Sequence, residues 1–280
     1  MPATPANIAV TIFELGLLLA GFAVLVVYLY RHGLCRVGRN DTDQRAGLQP
    51  WDVSFSDFLL FSFLIVAGGL FSAFLCGLIV GGLKLSSDTK TIINSAAFQL
   101  GLLLVPTTLP LKLTPAPFRR PLNQALSSGA VTFLIALPLV TLVNFGWQNL
   151  LERWGIPAGQ QDLLRMFTQT TQPVLIAVMV VLATVVAPIA EEMLFRATLF
   201  RYLRTRIPRW IAILLPGTIF AALHVNWSTL DGLASLVPLI TLAVVFSLAY
   251  ERTGRIATAI VAHGLFNLHT IILLLMGVTS

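Results

Sequence analysis

Long apolar runs recur along all 280 residues, and they restrict the chain to folds that a lipid bilayer can surround. A run of 18 or more residues with few charges is typical of a transmembrane helix. Only 11% of the residues are charged, whereas a soluble domain carries about 25%. The sequence therefore predicts an all-α polytopic membrane protein.

The hydropathy pattern predicts about eight spans, at 8–30, 56–83, 91–111, 127–147, 174–204, 210–226, 232–250 and 256–277. Six prolines fall inside or beside them, and we expect these prolines to interrupt the helices: Pro106, Pro110, Pro138, Pro188, Pro216 and Pro238. Broken helices are tolerated where the freed backbone groups are buried in protein or face a cavity. We therefore expect a bundle with an internal polar cavity, in a multi-pass integral membrane protein. In a prokaryote it would lie in the plasma (cytoplasmic) membrane.

The net charge of +6 comes from Lys and Arg residues that lie mainly in short loops between spans. This distribution indicates membrane orientation and not a nucleic-acid partner. It places the loops at 31–55, 112–126, 201–209 and 251–255 in the cytoplasm, with both termini outside. The two cysteines, Cys35 and Cys76, lack CxxC spacing, which argues against a thiolate metal site.

Three polar groups interrupt the apolar C-terminal half: Glu191, Glu192 and Arg196; Phe220 and His224; His263 and Asn267. Ionisable residues at membrane depth are expensive and indicate a functional site. At 1.5 Å per residue, Glu191 and His224 each lie about 22 Å from the basic turn between their two helices. The three groups are therefore predicted to meet at one level of the bundle.

Helical spacing separates the roles of these side chains. Glu192 and Arg196 are four residues apart, with the acid first, which favours an ion pair. Glu191 points about 100° away and is the candidate general base. His263 and Asn267 share a helix face and could direct two hydrogen-bond donors at one oxygen. His224 could share the proton of a water with Glu191.

Other polar or small residues in the spans have simpler interpretations. Phe220 is assigned to packing and His269 to a structural role, whereas Glu14 could face a loop, a partner or the cavity. Gly77 and Gly81 form a GxxxG motif, which predicts close helix packing within the bundle.

The order of the three groups resembles the CPBP family, the CAAX protease and bacteriocin-processing proteins that include type II prenyl-protein proteases and Abi proteins. The family pattern EExxxR, FxxxH and HxxxN is matched at all seven positions, and the segment 251–255 looks like its usual lead-in. The resemblance covers roughly residues 174–275. It divides the chain into variable N-terminal helices and loops at 1–173 and a catalytic transmembrane core at 174–277.

The resemblance implies an intramembrane endopeptidase that hydrolyses peptide bonds of membrane-associated or lipidated, CAAX-like substrates. In that scheme Glu191 activates water, His224 assists, and His263 with Asn267 stabilises the oxyanion. Glu192 and Arg196 support the site. The partners implied are a membrane-associated protein or peptide substrate and the lipid bilayer.

Several alternatives to this scheme stay open. We favour a mechanism without a cofactor, and the alternative is a divalent metal such as zinc held by Glu191, His224 and His263. The HExxH pairing of common metalloproteases is absent. A non-catalytic membrane binding or immunity partner would also fit the fold. A transporter fits less well, because the polar groups are confined to one half of the chain.

Overall fold

The computed structural model describes residues 5–32, 48, 51–108, 122–156, 167, 170 and 172–276, and their regular structure is entirely helical. Within these ranges, seven helices are long and apolar enough to cross a membrane, and one apolar helix is shorter, with 16 residues. The all-α polytopic fold and the multi-pass membrane location are therefore confirmed. The helices are α1 Pro5–His32, α2 Phe55–Gly81, α3 Ser87–Thr108, α4 Leu122–Arg153, α5 Pro173–Arg204, α6 Arg209–His224, α7 Leu236–Thr253 and α8 Ile256–Leu275.

The expectation that prolines interrupt the spans is wrong in the described part of the chain. Pro106, Pro138 and Pro216 lie inside continuous helices. Pro188 follows a π-helical turn in α5, a local widening that accommodates the missing N–H donor. Pro238 lies in the first turn of α7, where its N–H would have no helical partner. Pro110 lies outside the described residues, as do the predicted loop residues 33–47 and 109–121.

Helices α4, α7 and α8 pack together at the centre, and α6 pairs with α7. Helix α1 lies against α4, while α2 and α3 form a hairpin that contacts α5. The central core is built from large apolar side chains of five helices, α4 to α8, among them Phe133, Leu137, Phe200, Phe246 and Tyr250. The C-terminal helices thus form the interior that will hold the polar groups.

The hairpin of α2 and α3 is closed by glycines other than the predicted pair. A Cβ atom on Gly68 would lie 2.9 Å from the carbonyl oxygen of Gly101, and one on Gly101 would lie 2.5 Å from that of Gly68. A Cβ atom on Gly81 would face open space, and one on Gly77 would come no closer than 3.8 Å to a neighbour. The GxxxG prediction is therefore wrong: the close backbone contact lies nearer the middle of the two helices.

The predicted cytoplasmic end is joined by arginine contacts. Glu251, only 5% exposed, accepts hydrogen bonds from Arg204 and Arg209, which lie on either side of the turn between α5 and α6. Gly254 ends α7 in the left-handed conformation, with φ of +65°, and its N–H bonds to the carbonyl of Tyr250. The positive charges that predict orientation therefore also hold three helices together.

Helix α1 is attached to the bundle by a polar contact at membrane depth. Glu14 Oε1 lies 2.6 Å from His269 Nε2 on α8, and both side chains are largely buried. Glu14 therefore has a partner inside the protein, and His269 has the structural role predicted for it.

Candidate active site

Helix α5 changes its winding on both sides of the two glutamates. It is π-helical at Leu182–Val186, α-helical at Ala187–Glu192, and π-helical again at Met193–Phe200. Thr198 Oγ1 donates to the carbonyl of Met193, five residues earlier, which fits the wider winding. Such π segments occur often at functional sites. Glu191 and Glu192 thus lie on a short α-helical segment between two wider turns.

The three predicted groups come together in space. Glu191 lies between the two histidines, with Oε1 3.7 Å from His224 Nε2 and Oε2 3.7 Å from His263 Nε2. These distances exceed a direct hydrogen bond, so the carboxylate faces both imidazoles without a direct hydrogen bond to either. The glutamate side chain is 13% exposed, so this convergence takes place inside the bundle.

Glu192 and Arg196 form the predicted ion pair. Arg196 Nη1 donates to Glu192 Oε1 at 2.9 Å, and the two side chains are 1% and 0% exposed. The guanidinium also lies over two aromatic rings, with its Cζ 5.0 Å from the centre of Phe220 and 5.6 Å from that of Phe246. Glu192 Oε2 and Arg196 Nη2 have no hydrogen-bond partner within the described residues. The aromatic rings therefore complete the surroundings of a buried charge pair.

His263 connects the two acids. Its Nδ1 lies 2.9 Å from Glu192 Oε1, while its Nε2 faces Glu191. Because the Glu192 oxygen also accepts from Arg196, we assign the proton on Nδ1 to this hydrogen bond. The ring of Phe246 stacks on the imidazole at 5.2 Å between centres. Glu192 is thus more than a counter-ion for Arg196, because it also orients His263.

His224 is the last residue of α6, and its side chain is 33% exposed. Its Nδ1 lies 2.7 Å from the carbonyl oxygen of Phe220. A carbonyl only accepts, so Nδ1 carries the proton and Nε2 is directed at Glu191. Phe220 itself is 1% exposed and packs edge-on against Phe195. Its packing role agrees with the sequence prediction, and its carbonyl adds the orientation of His224.

Asn267 lies on the same helix as His263, but its amide contacts a different group. Its Nδ2 donates to the carbonyl oxygen of Ala183 at 2.8 Å, in the first π-helical turn of α5. Gly264 permits this approach, since a Cβ atom there would lie 2.4 Å from the carbonyl oxygen of Thr184. One N–H of Asn267 therefore ties α8 to α5, and the amide carries a second N–H.

A cavity of about 90 Å³ lies between α3 and α5, and its lining includes none of the cluster residues. Two of its lining residues, Ser95 and Gln99, are polar, and the others are Ile92, Met179, Leu182, Ala183 and Ala187. The polar character expected of an internal cavity thus comes here from one wall, and the rest of the lining is apolar.

Sequence reasoning missed two contributors to the site. Phe246 stacks on His263, and Ala183 supplies the carbonyl for Asn267. Neither stands out in an apolar helix by type or spacing. Gly264, directly after His263, is the one signal of a close helix approach that the sequence carried.

The donor types at the cluster are those that zinc uses, namely two imidazole nitrogens and a carboxylate. In a metal site, Glu192 and the carbonyl of Phe220 would orient the two histidines by bonding the ring nitrogen that faces away from the metal. However, no three His, Cys, Asp or Glu side chains in the described part of the chain are spaced as a ligand group. The donor types fit a metal, and their spacing here does not.

Comparisons with known proteins agree with the resemblance seen in the motifs. Residues 173–269 match the family model described as type II CAAX prenyl endopeptidase Rce1-like. "Putative membrane peptidase YdiL" of Bacillus subtilis (strain 168) is 25% identical over 156 residues, which cover 54% of this chain and 59% of the relative. "UPF0177 protein YbdI" of Lactococcus lactis subsp. lactis (strain IL1403) is 29% identical over 94 residues, which cover 33% and 46%.

The chain thus spans about half the length of the curated relatives it matches. No solved structure matches it. The family resemblance predicted from the motifs is confirmed for the C-terminal segment, and the comparisons support a membrane protease.

Proposed function

We propose that this protein is an intramembrane endopeptidase that hydrolyses peptide bonds of membrane-associated or lipidated, CAAX-like substrates. One observation carries the proposal: the carboxylate of Glu191 faces Nε2 of both His224 and His263 at 3.7 Å inside an apolar bundle. A water about 2.8 Å from Glu191 and from one histidine would lie to one side of the line that joins the two atoms, because 3.7 Å is too short to hold a water between them.

Glu191 acts as the general base in this proposal. It takes a proton from the water as the water oxygen attacks the scissile carbonyl carbon, and the carbon–nitrogen bond then breaks. The same proton passes from Glu191 to the departing amine nitrogen, so that the acid returns to its starting form. His224 holds the water through Nε2, because its Nδ1 is bonded to the carbonyl of Phe220.

His263 and Asn267 stabilise the negative oxygen of the tetrahedral intermediate. Glu191, Glu192 and Arg196 together carry one net negative charge, which a single proton shared between Glu191 and the facing imidazoles cancels. Charge neutrality matters here because unpaired charge in an apolar interior is costly. When that proton lies on His263 Nε2, it and the second N–H of Asn267 are the oxyanion donors.

The proposal requires no metal ion, and a chelator separates it from the zinc alternative. In that alternative Glu191, His224 and His263 would hold the ion, which would lower the pKa of a bound water. The purified protein should remain active after treatment with a strong chelator. Metal analysis then checks that no metal ion is left in the protein. Loss of activity that added zinc restores would favour the alternative.

The central experiment compares wild type with Glu191→Gln in the purified, detergent-solubilised full chain. We expect the variant to fold and to lose cleavage of membrane-protein substrates, measured as new peptide ends by mass spectrometry. Glu14→Gln is the matched control, because it makes the same change at a membrane-depth glutamate outside the cluster. Identical peptide ends from wild type and Glu191→Gln would instead support a non-catalytic binding partner.

A further inference from the structure

Two arginines share one acid at the end of the bundle that the basic loops assign to the cytoplasm. Arg204 ends α5 and Arg209 begins α6, and both donate to the carboxylate of Glu251 on α7. Two guanidinium groups and one carboxylate leave one net positive charge, on side chains that are only 23%, 19% and 6% exposed. Excess charge that is largely buried is costly, so this arginine pair favours a further anion beside it.

The same two side chains keep hydrogen-bond donors for such an anion. Arg204 bonds to Glu251 through Nε alone, so both of its terminal nitrogens are without a partner within the described residues. Arg209 uses Nε and Nη2, which leaves Nη1. The two terminal nitrogens of one guanidinium match two oxygens of a phosphate, which gives a strong, charge-assisted contact. One phosphodiester also carries the single negative charge that would neutralise the group.

The surface next to the arginine pair is one that lipid covers. Trp210 is 52% exposed, and the Cζ atom of Arg209 lies 5.2 Å from the centre of its ring. Tryptophan is enriched at the headgroup level of membrane proteins. Further along α6 the exposed side chains are apolar, since Ile211, Leu214 and Leu215 are each at least 45% exposed. An anion with acyl chains therefore has a surface for its chains beside the donors for its headgroup.

We propose that Arg204 and Arg209 bind the phosphate of an anionic phospholipid, whose acyl chains lie along the exposed face of α6. The bound lipid completes the charge balance where α5, α6 and α7 meet, so it should stabilise the bundle. This site is separate from the proposed active site: Arg204 lies 13 residues after Glu191, or about 20 Å along α5. Lipid binding there does not depend on the endopeptidase function.

The test uses the purified, delipidated full chain in a mild detergent. It receives either dioleoyl phosphatidylglycerol, which is anionic, or dioleoyl phosphatidylcholine, which is zwitterionic. Native mass spectrometry measures the bound lipid, and thermal unfolding measures Tm. We expect wild type to bind phosphatidylglycerol at least about tenfold more tightly, as hydrogen bonds between charged groups provide, and to show a higher Tm with it. Equal affinity for the two lipids would overturn the proposal.

Two variants distinguish a lipid site from a contact that only joins helices. Arg204→Gln and Glu251→Gln both remove the ion pair between α5 and α7, so both should lower Tm in phosphatidylcholine. Their effects on lipid affinity should be opposite. Arg204→Gln removes phosphate donors and should weaken phosphatidylglycerol binding by about tenfold or more. Glu251→Gln removes a negative charge that repels the phosphate, so it should strengthen binding. Weaker binding in both variants would overturn the site.

Arg206→Gln is the matched control, because Arg206 is exposed in the same turn and donates only to neutral oxygens. Its charge contributes diffuse attraction, so the variant should lose no more than about fivefold in phosphatidylglycerol affinity. A loss as large as that of Arg204→Gln would show that binding is diffuse and would overturn the site. Inorganic phosphate that raises Tm as much as phosphatidylglycerol does would overturn the assignment to a lipid.

Discussion

His263 links the two parts of the site, which are the Glu192–Arg196 ion pair and Glu191. One ring nitrogen is held by Glu192, which also binds Arg196, and the other faces Glu191. A change at Glu192 therefore acts on a buried charge and on the orientation of an imidazole at once. Stability and activity respond to different parts of this arrangement and can be measured separately.

Replacing Glu192 with Gln should destabilise the protein strongly. Breaking a buried pair leaves an uncompensated guanidinium and costs about 3–5 kcal/mol. The double variant Glu192→Leu with Arg196→Met should regain much of that stability, because it removes both charges. Thermal unfolding in detergent measures the first effect.

Activity should not return in that double variant, because His263 has still lost its Nδ1 partner. A double variant with restored Tm and full turnover would show that Glu192 does nothing beyond pairing with Arg196. A Glu192→Gln variant as stable as wild type would contradict the contribution of the ion pair to stability.

Asn267→Ala should lower kcat by about 10²–10³, the usual effect of removing one oxyanion donor. It also removes the hydrogen bond to Ala183, which contributes about 0.5–1.5 kcal/mol to stability. Steady-state kinetics together with thermal unfolding separate the two effects. A raised KM with unchanged kcat would mean that Asn267 only joins α8 to α5.

Among the helices, α5 and α8 depend on each other at the site. The first π-helical turn of α5 presents the carbonyls of Ala183 and Thr184 to α8, and only a glycine at 264 permits the approach. The separation of these two helices therefore sets how far His263 and Asn267 lie from Glu191.

Gly264→Ala should push the two helices apart, since its Cβ atom would lie 2.4 Å from a backbone oxygen. We expect a lower Tm and at least about tenfold lower kcat, because misplacement by about 1 Å can cost 10²-fold. Gly16→Ala in α1 is the control: nothing lies within 4 Å of the new atom, and alanine favours a helix. Equal behaviour of the two variants would refute the packing argument.

Glu14→Leu should loosen α1 from the bundle without touching the chemistry. His269 would be left without its partner, at a cost of about 1–3 kcal/mol. Hydrogen exchange of α1 should rise, while turnover per folded molecule stays near that of wild type. A loss of turnover with unchanged exchange would give Glu14 a part in the reaction.

Across the bundle as a whole, the apolar runs and the order of the motifs were enough to predict the helices and the convergence of the polar groups. Hydrophobic length is a property of each segment alone, so it could be read without a structure. The motif depths followed from helical rise, and the contacts of Glu191 with both histidines agree with them.

What could not be predicted depends on contacts between segments. The helices run through Pro106, Pro138 and Pro216 because packing in the bundle holds them straight enough, which a local rule cannot anticipate. Gly68 and Gly101 make the close approach that the GxxxG pattern assigned to Gly77 and Gly81. The link from Glu192 to His263 likewise joins residues 71 positions apart.

The predicted orientation can be tested by labelling from either side of the membrane. Thr205→Cys and Ser228→Cys lie at exposed positions at opposite ends of α6, and the native Cys35 and Cys76 are first replaced by Ser. A membrane-impermeant maleimide should label position 205 from the cytoplasm and position 228 from outside. The reverse pattern would overturn the assignment made from the basic loops.

Helix α6 has only 16 residues, so at 1.5 Å per residue it covers about 24 Å of a hydrocarbon layer about 30 Å thick. Its last residue is His224, and the polar stretch that follows, with the exposed Trp227 and Ser228, begins below the level of a full-length span. The bilayer thins locally next to a short helix, which brings lipid headgroups and water closer to it. We expect the water that hydrolysis consumes to reach the site through this thinned region. Thicker bilayers should therefore slow turnover, because they limit the supply of water to the site.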